Sequence, residues 1–293
     1  MPDIKTKFIN RDRFTRLMTK DGMFRATFLK NSVTVLNAQQ KHNLPPQAAY
    51  FLALALSSVT LTASFFKGEE RAILDFSGDG LITKIYTEAV HAGEARGYIN
   101  FDDRITVFGV DEIQSENLFG YGTLRVSKIF YDKTEPVTGI VDISNGTIVD
   151  DLELYYSQSE QIPTKILLTV SFDENGMIKT SGGFILQAMP GSSHSQFETM
   201  VHTLKENFDL LKAIESGVTP EEILNKTLNT EFTVIKTTPV DFFCRCTKTG
   251  FMNKLLTLGP DEIKGMKSDG NREIVCHFCN KKYHLEDKDF DYL

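Results

Sequence analysis

The chain has 293 residues, 41% of them hydrophobic and 24% charged, with 32 Lys+Arg against 39 Asp+Glu and a formal net charge of −7. That apolar share can bury a sizeable core without the staples that small scaffolds need, and the length is that of two domains or of one large domain with an appendage. The acidic balance counts against a phosphate-tracking surface along the whole chain, and Met1-Pro2-Asp3-Ile4-Lys5 has neither the apolar core nor the small-residue cleavage site of a signal peptide, so a cytoplasmic location is expected.

In chain order, residues 14–18 and 22–29 read as strands around the turn Lys20-Asp21-Gly22. A polar helix is predicted over 33–42 and an apolar helix from Pro45-Pro46, with Lys67-Gly68 as its stop. Strands follow over 72–76, 82–89 and 95–99, separated by the turns Gly78-Asp79-Gly80 and His91-Ala92-Gly93. Further strands are predicted over 122–131, 137–142, 165–171 and 183–188, with Asn175-Gly176 as a hairpin signal between the last two. Mixed elements with several hairpins give an α+β class, closing near Pro190-Gly191.

Residues 48–66 carry no charge over 19 positions, close to the length of a membrane span. Six hydroxyl-bearing residues (Tyr50, Ser57, Ser58, Thr60, Thr62 and Ser64) and the lack of a basic flank make a buried core helix the better reading. No membrane association is expected.

The composition then changes. Residues 192–231 hold seven acidic residues against three lysines, with Phe197, Met200, Val201, Leu204, Phe208 and Leu211 on one helical stripe. Gly217 stops that pattern, and Thr219-Pro220-Glu221-Glu222 restarts it with Thr219 as N-cap, Pro220 as first helical residue and Glu222 as capping-box partner. Two helices are predicted, resting on the core along a narrow apolar stripe, a hold of a few kcal/mol at about 25 cal/mol per Å².

All four cysteines fall in the last fifty residues, as Cys244-Arg245-Cys246, a gap of 29 residues, then Cys276-His277-Phe278-Cys279. Structural zinc takes four soft ligands in a tetrahedron, and two chelating pairs supply them with little chain-ordering cost. One zinc ion held by Cys244, Cys246, Cys276 and Cys279 is therefore expected. The competing readings are two structural disulfides, which suit an oxidising compartment, and a thioredoxin-like redox pair, which should open a helix where Cys279 leads into the turn Asn280-Lys281-Lys282-Tyr283. His277 and His284 are further possible ligands, although four thiolates already complete the shell. Four thiolates around Zn²⁺ carry a net charge of −2, and Arg245, Lys281 and Lys282 are placed in the sequence to moderate it. Thiolates are also the form that oxidants attack. The expected layout is a mixed α/β core with antiparallel hairpins over 1–191, a helical linker over 192–235 and a small zinc-binding domain over 236–293.

These motifs resemble the redox-regulated 33-kDa heat-shock chaperone family. The resemblance is carried by both cysteine halves at this separation, by Val275-Cys276-His277-Phe278-Cys279-Asn280-Lys281-Lys282-Tyr283 and by Leu258-Gly259-Pro260-Asp261-Glu262-Ile263. Upstream it extends to Gly182-Gly183-Phe184-Ile185-Leu186-Gln187-Ala188-Met189-Pro190-Gly191, Tyr155-Tyr156-Ser157-Gln158-Ser159-Glu160-Gln161-Ile162-Pro163 and Thr219-Pro220-Glu221-Glu222-Ile223-Leu224. It implies an ATP-independent holdase of the stress response, largely inactive while reduced and zinc-bound. It also implies that oxidation links Cys244 to Cys246 and Cys276 to Cys279, expels zinc, unfolds the C-terminal module and yields a homodimer that binds unfolding proteins. Combined with the apolar stripe, this makes Phe197, Met200, Leu204 and Phe208 the candidate client-binding surface.

Two other classes compete. A zinc module that binds nucleic acid should be distinctly basic, whereas residues 241–293 hold nine Lys+Arg and nine Asp+Glu, so no nucleic-acid partner is expected. An enzyme is not expected either, because no Gly-x-x-x-x-Gly-Lys, His-Glu-x-x-His or Gly-x-Ser-x-Gly occurs. Gly78-x-Gly80 and Gly120-x-Gly122 read as turns, and the glycosylation spacings at Asn145 and Asn225 as accidental.

Overall fold

A computed structural model of the chain describes residues 11–107, 109, 118–143 and 146–292. Asn145 and the first ten residues, on which two of the sequence readings fall, lie outside them. The chain divides into two compact units at 242/243.

The first unit holds two sheets. One has the order β10-β1-β2-β9-β8, formed by β1 (Arg13–Thr19), β2 (Phe24–Lys30), β8 (Thr164–Phe172), β9 (Ile178–Ala188) and β10 (Phe232–Pro239), all antiparallel. The other has the order β11-β5-β4-β3-β6-β7, formed by β3 (Arg71–Gly78), β4 (Ile82–Val90), β5 (Glu94–Phe101), β6 (Gly122–Ile129), β7 (Val137–Asp142) and β11 (Asp241–Phe242). Its pairings are antiparallel except that of β11 with β5. The turns Gly78-Asp79-Gly80 and Gly120-Tyr121-Gly122 pack on each other, with the Gly80 N–H donating to the Phe119 carbonyl at 2.8 Å. A Cβ on Gly80 would lie 2.5 Å from the Leu118 carbonyl oxygen, which explains the small residue there.

Helix α1 (Ser32–His42) is followed by the apolar helix α2 (Pro46–Ala63). This helix has the length and apolar content of a membrane span, yet it packs against β3, β4 and β5 of one sheet and β8 and β9 of the other. Residues 48–63 are accordingly buried around the whole circumference except at Tyr50. Most of its hydroxyls find partners inside the protein, as buried polar groups generally do, Ser58 Oγ being the exception. Ser57, Thr60 and Thr62 donate to the carbonyls four residues back at 2.8, 2.7 and 3.0 Å. The Tyr156 hydroxyl donates to Thr62 Oγ1 at 3.1 Å, and Thr27 and Ser64 share a bond of 2.9 Å. Helix α3 (Ile148–Tyr155) and the π-helical turn Tyr156–Glu160 complete this layer. There Lys128 pairs with Glu160 at 2.7 Å, and the Tyr155 hydroxyl donates to the same carboxylate at 2.5 Å. Neither α3 nor the turn was predicted from the sequence.

The acidic stretch forms three helices, not the expected two: α4 (His194–Asn207), α5 (Leu210–Glu215) and α6 (Pro220–Leu228). They are capped by Ser193, Asp209 and Thr219, whose side chains accept from the backbone of Gln196, Lys212 and Glu222. The predicted stripe ends at Phe208, whose backbone is extended. Leu210 and Ile214 then continue the buried face in place of the expected Leu211.

That face is broader than a narrow stripe. Phe197, Met200, Leu204, Leu210, Ile214, Leu224 and Leu228 cluster with Phe24, Ala26, Phe28, Phe184, Leu186 and Ala188 on the side of the first sheet opposite α2. Strand β2 serves both layers by the period of two: Phe24, Ala26 and Phe28 face α4–α6, while Thr27 reaches Ser64 at the end of α2.

The expected boundary at 235/236 falls inside β10, whose residues pair with β1 from Phe232↔Thr19 to Pro239↔Arg13. The Asn225 side chain starts that strand by accepting from the Phe232 N–H at 2.7 Å. The Val240 N–H then donates to the Asp12 carbonyl at 3.0 Å, and β11 joins β5. The edge strand of the first sheet thus comes from beyond the linker helices, which leave the body at Ala188 and rejoin it at Phe232.

The second unit holds α7 (Lys248–Leu255), α8 (Pro260–Ser268), the hairpin β12 (Glu273–Val275) and β13 (Lys282–His284), and α9 (Asp287–Tyr292). Among the described residues its buried apolar cluster is Met252, Ile263, Leu285 and Phe290, with Leu255, Met266 and Ile274 packed partly against them. A core of that size is too small for about fifty residues to fold on apolar burial alone.

Candidate metal centre

The Cys-x-x-Cys half sits on the β12–β13 hairpin. The Cys276 N–H donates to the Lys281 carbonyl at 2.9 Å, and the Asn280 N–H donates to the Cys276 carbonyl at 2.7 Å. Asn280 completes the turn at φ +55°, a conformation that asparagine tolerates better than most residues. These bonds aim both sulfurs inward, and Cys276 and Cys279 are buried. The Cys-x-Cys half lies on residues 243–247, between β11 and α7, in neither helix nor strand. Cys244 and Cys246 are half-buried. Thr247 fixes where this half ends, accepting from the Gly250 N–H at 3.0 Å as the N-cap of α7.

The four sulfurs lie within 4.8 Å of one another, with Cys244 and Cys276 at 3.7 Å and Cys246 and Cys279 at 3.5 Å. A tetrahedron with Zn–S near 2.3 Å has edges of about 3.8 Å, so the thiols are spaced as a tetrathiolate shell requires, and all four are free of disulfides. The cluster joins the four predicted cysteines without His277 or His284, both of which are exposed. Lys282 pairs with Glu273 across the hairpin at 3.0 Å, and Lys281 lies over the Tyr283 ring at 5.0 Å.

The thiols differ in environment. Burial raises Cys276 and Cys279 above the ordinary thiol range. Burial also acts upward on Cys246, but the Tyr283 hydroxyl and the neighbouring thiols outweigh it and hold Cys246 at about 7. Tyr283 is the residue that motif spacing missed. Its hydroxyl lies 3.2 Å from Cys246 Sγ and donates to the Cys246 carbonyl at 2.8 Å. The available signal was an aromatic residue placed on the strand that follows the cysteine turn.

The candidate client residues divide by burial. Phe197, Met200 and Leu204 are buried against the first sheet, and Phe208 is partly buried there. They share one face, and the first sheet covers it.

An α+β body followed by a small unit with four convergent thiols defines a two-part protein whose second part could hold a metal ion at those thiols. A family model described as Hsp33 protein matches residues 12–286. The 33 kDa chaperonin of Geobacillus sp. (strain WCH70) is 31% identical over 290 residues, covering 96% of this chain and 97% of that protein. The 33 kDa chaperonin of Bacillus subtilis (strain 168) is 32% identical over 275 residues, covering 93% and 94%. Among solved structures, the 33 kDa chaperonin (heat shock protein 33 homolog) from Thermotoga maritima matches with a TM-score of 0.86 at 23% identity, over 97% of each chain, and shows the same fold. The chain belongs to the Hsp33 family of chaperones.

Proposed function

We propose that this protein is a redox-regulated, ATP-independent holdase whose switch is one zinc ion bound by Cys244, Cys246, Cys276 and Cys279. The observation that carries the reading is the convergence of four sulfurs within 4.8 Å in a unit whose described residues form an apolar cluster of four buried side chains. Zinc would supply the folding free energy that this core lacks, on the order of 10–16 kcal/mol for a small zinc module.

Oxidation removes all four ligands. Two equivalents of a two-electron oxidant such as hypochlorite take four electrons from the thiolates, forming Cys244–Cys246 and Cys276–Cys279 disulfides and leaving chloride and water or hydroxide. Neither disulfide can serve as a thiolate ligand, so the metal's contribution to folding is lost. Residues 243–293 then unfold, and helices α4–α6 come away from the first sheet. Support for the second step comes from the character of the face they cover. Phe197, Met200 and Leu204 lie on Phe24, Phe28 and Phe184, a contiguous apolar surface that would be left exposed. Such a surface binds the apolar segments of unfolding proteins. In the oxidised state the protein is a homodimer, and the acidic residues of α4–α6 keep the opened form soluble.

The stripe variant Phe197→Ser/Leu204→Ser/Phe208→Ser tests the client surface. It should lose oxidation-dependent suppression of client aggregation while still releasing zinc on oxidation. A variant that protects clients under the same redox control as the wild type would count against the assignment.

A further inference from the structure

The two halves of the thiol cluster are held differently. Backbone hydrogen bonds of the β12–β13 turn fix Cys276 and Cys279, whereas Cys244 and Cys246 lie on a segment with no regular structure. Tyr283 reaches from the ordered half to the other. It stands on β13 opposite Ile274, and its hydroxyl addresses Cys246 twice, at the carbonyl oxygen (2.8 Å) and at Sγ (3.2 Å). The ring is oriented by Phe251 of α7, with centroids 5.5 Å apart and planes at 52°, and by Lys281 Nζ over its face.

We propose that Tyr283 is a positioning residue of the metal centre, whose hydroxyl fixes the Cys246 sulfur in the ligand shell and sets how readily the Cys-x-Cys half gives up its metal. This rests on the metal-binding reading above. The hydroxyl proton goes to the Cys246 carbonyl oxygen, which fixes the backbone from which that sulfur projects, and the hydroxyl oxygen beside Sγ restricts the side chain's rotation. Partners that orient ligands in this way typically account for 10–100-fold in metal affinity. The chain path makes the effect one-sided, because the Cys-x-x-Cys half has its own backbone scaffold.

Tyr283→Phe in the full-length protein removes the hydroxyl and keeps the ring between Phe251 and Lys281. Zinc transfer to a chromogenic chelator, measured under reducing conditions, should show affinity lower by about 10–100-fold. In the Co²⁺-loaded protein the sulfur-to-metal charge-transfer band should shift, because the Cys246 sulfur loses the contact that fixes its place in the ligand shell. Phe251→Leu, which loosens the ring but keeps the hydroxyl, should leave the band in place. Wild-type affinity together with a wild-type band in Tyr283→Phe would overturn the proposal, as would an equal band shift in Phe251→Leu. Uptake of neither metal by the wild-type protein would overturn the metal-binding reading and this inference with it.

Discussion

The ring of Phe208 stands edge-on to that of Phe184, with centroids 5.9 Å apart and planes at 63°. Phe184 is fully buried in β9, an interior strand of the first sheet, and Phe208 sits where α4 ends, so the chain between α4 and α5 is pinned to that sheet by an aromatic pair.

This contact and the buried Leu204 beside it set the strength of the helical layer. Leu204→Ala should cost about 2–5 kcal/mol, the range for a fully buried leucine, and Phe208→Ala about 1–3 kcal/mol, less than a buried phenylalanine because the ring is only partly covered. Both should raise binding of a hydrophobic dye by the reduced, zinc-loaded protein. Chemical denaturation and dye fluorescence check these values, and wild-type dye binding in both variants would show that the helices are held elsewhere.

Gly93 is the close-contact point of the returning chain. It adopts φ +96°, and a Cβ there would lie 1.8 Å from the Pro239 carbonyl oxygen. The Asp241 N–H donates to the Gly93 carbonyl at 3.0 Å, which starts the β11–β5 pairing. Gly93→Ala should therefore displace residues 239–242, costing about 1–3 kcal/mol for the backbone conformation alone, with a lower Tm. Amide exchange should rise at Val240 and Phe242 and stay unchanged in β3 and β4.

His91 gives the fold an acid-side weakness. It is buried, its Nδ1 lies 3.1 Å from the Ser64 carbonyl oxygen, and burial together with Arg16 and Lys236 pushes its pKa below the ordinary 6.5. The unfolded chain then takes up the proton first, so this contribution to stability is complete above pH 6.5 and falls as pH drops from 6.5 towards the folded value. Unfolding free energies measured from pH 7.5 to 5 should decline in the wild type and flatten in His91→Gln. Parallel slopes for the two proteins would refute the assignment.

Much of the strand order along the chain was legible, because the turns Lys20-Asp21-Gly22, Gly78-Asp79-Gly80, His91-Ala92-Gly93 and Asn175-Gly176 are local signals that separate the strands. Helix α2 was legible as core because its hydroxyls ruled for a protein environment, and the structure places it between two sheets. Three features were not. The return of residues 232–239 to pair with β1 is a long-range contact, and exposed Val234, Ile235, Lys236 and Thr237 carry no alternation to mark a strand. The π-helical turn Tyr156–Glu160 rests on the tertiary partners Lys128 and Thr62, which no local pattern announces. The break at Phe208 moved the buried stripe from Leu211 to Leu210, a phase change that a single helical period cannot show. The four thiols were legible as a set because paired chelating cysteines are a spacing signal, whereas Tyr283 meets Cys246 only through the fold of the hairpin.

The central claim is that loss of the tetrathiolate ion switches on client binding. The direct measurement titrates the reduced, zinc-loaded protein with hypochlorite. At each dose, metal release to a chromogenic chelator is read beside light scattering from a heat-aggregating client. The account predicts that protection is absent while zinc is retained and rises in proportion to zinc released. Equal protection by the fully zinc-loaded and the zinc-free protein would contradict it.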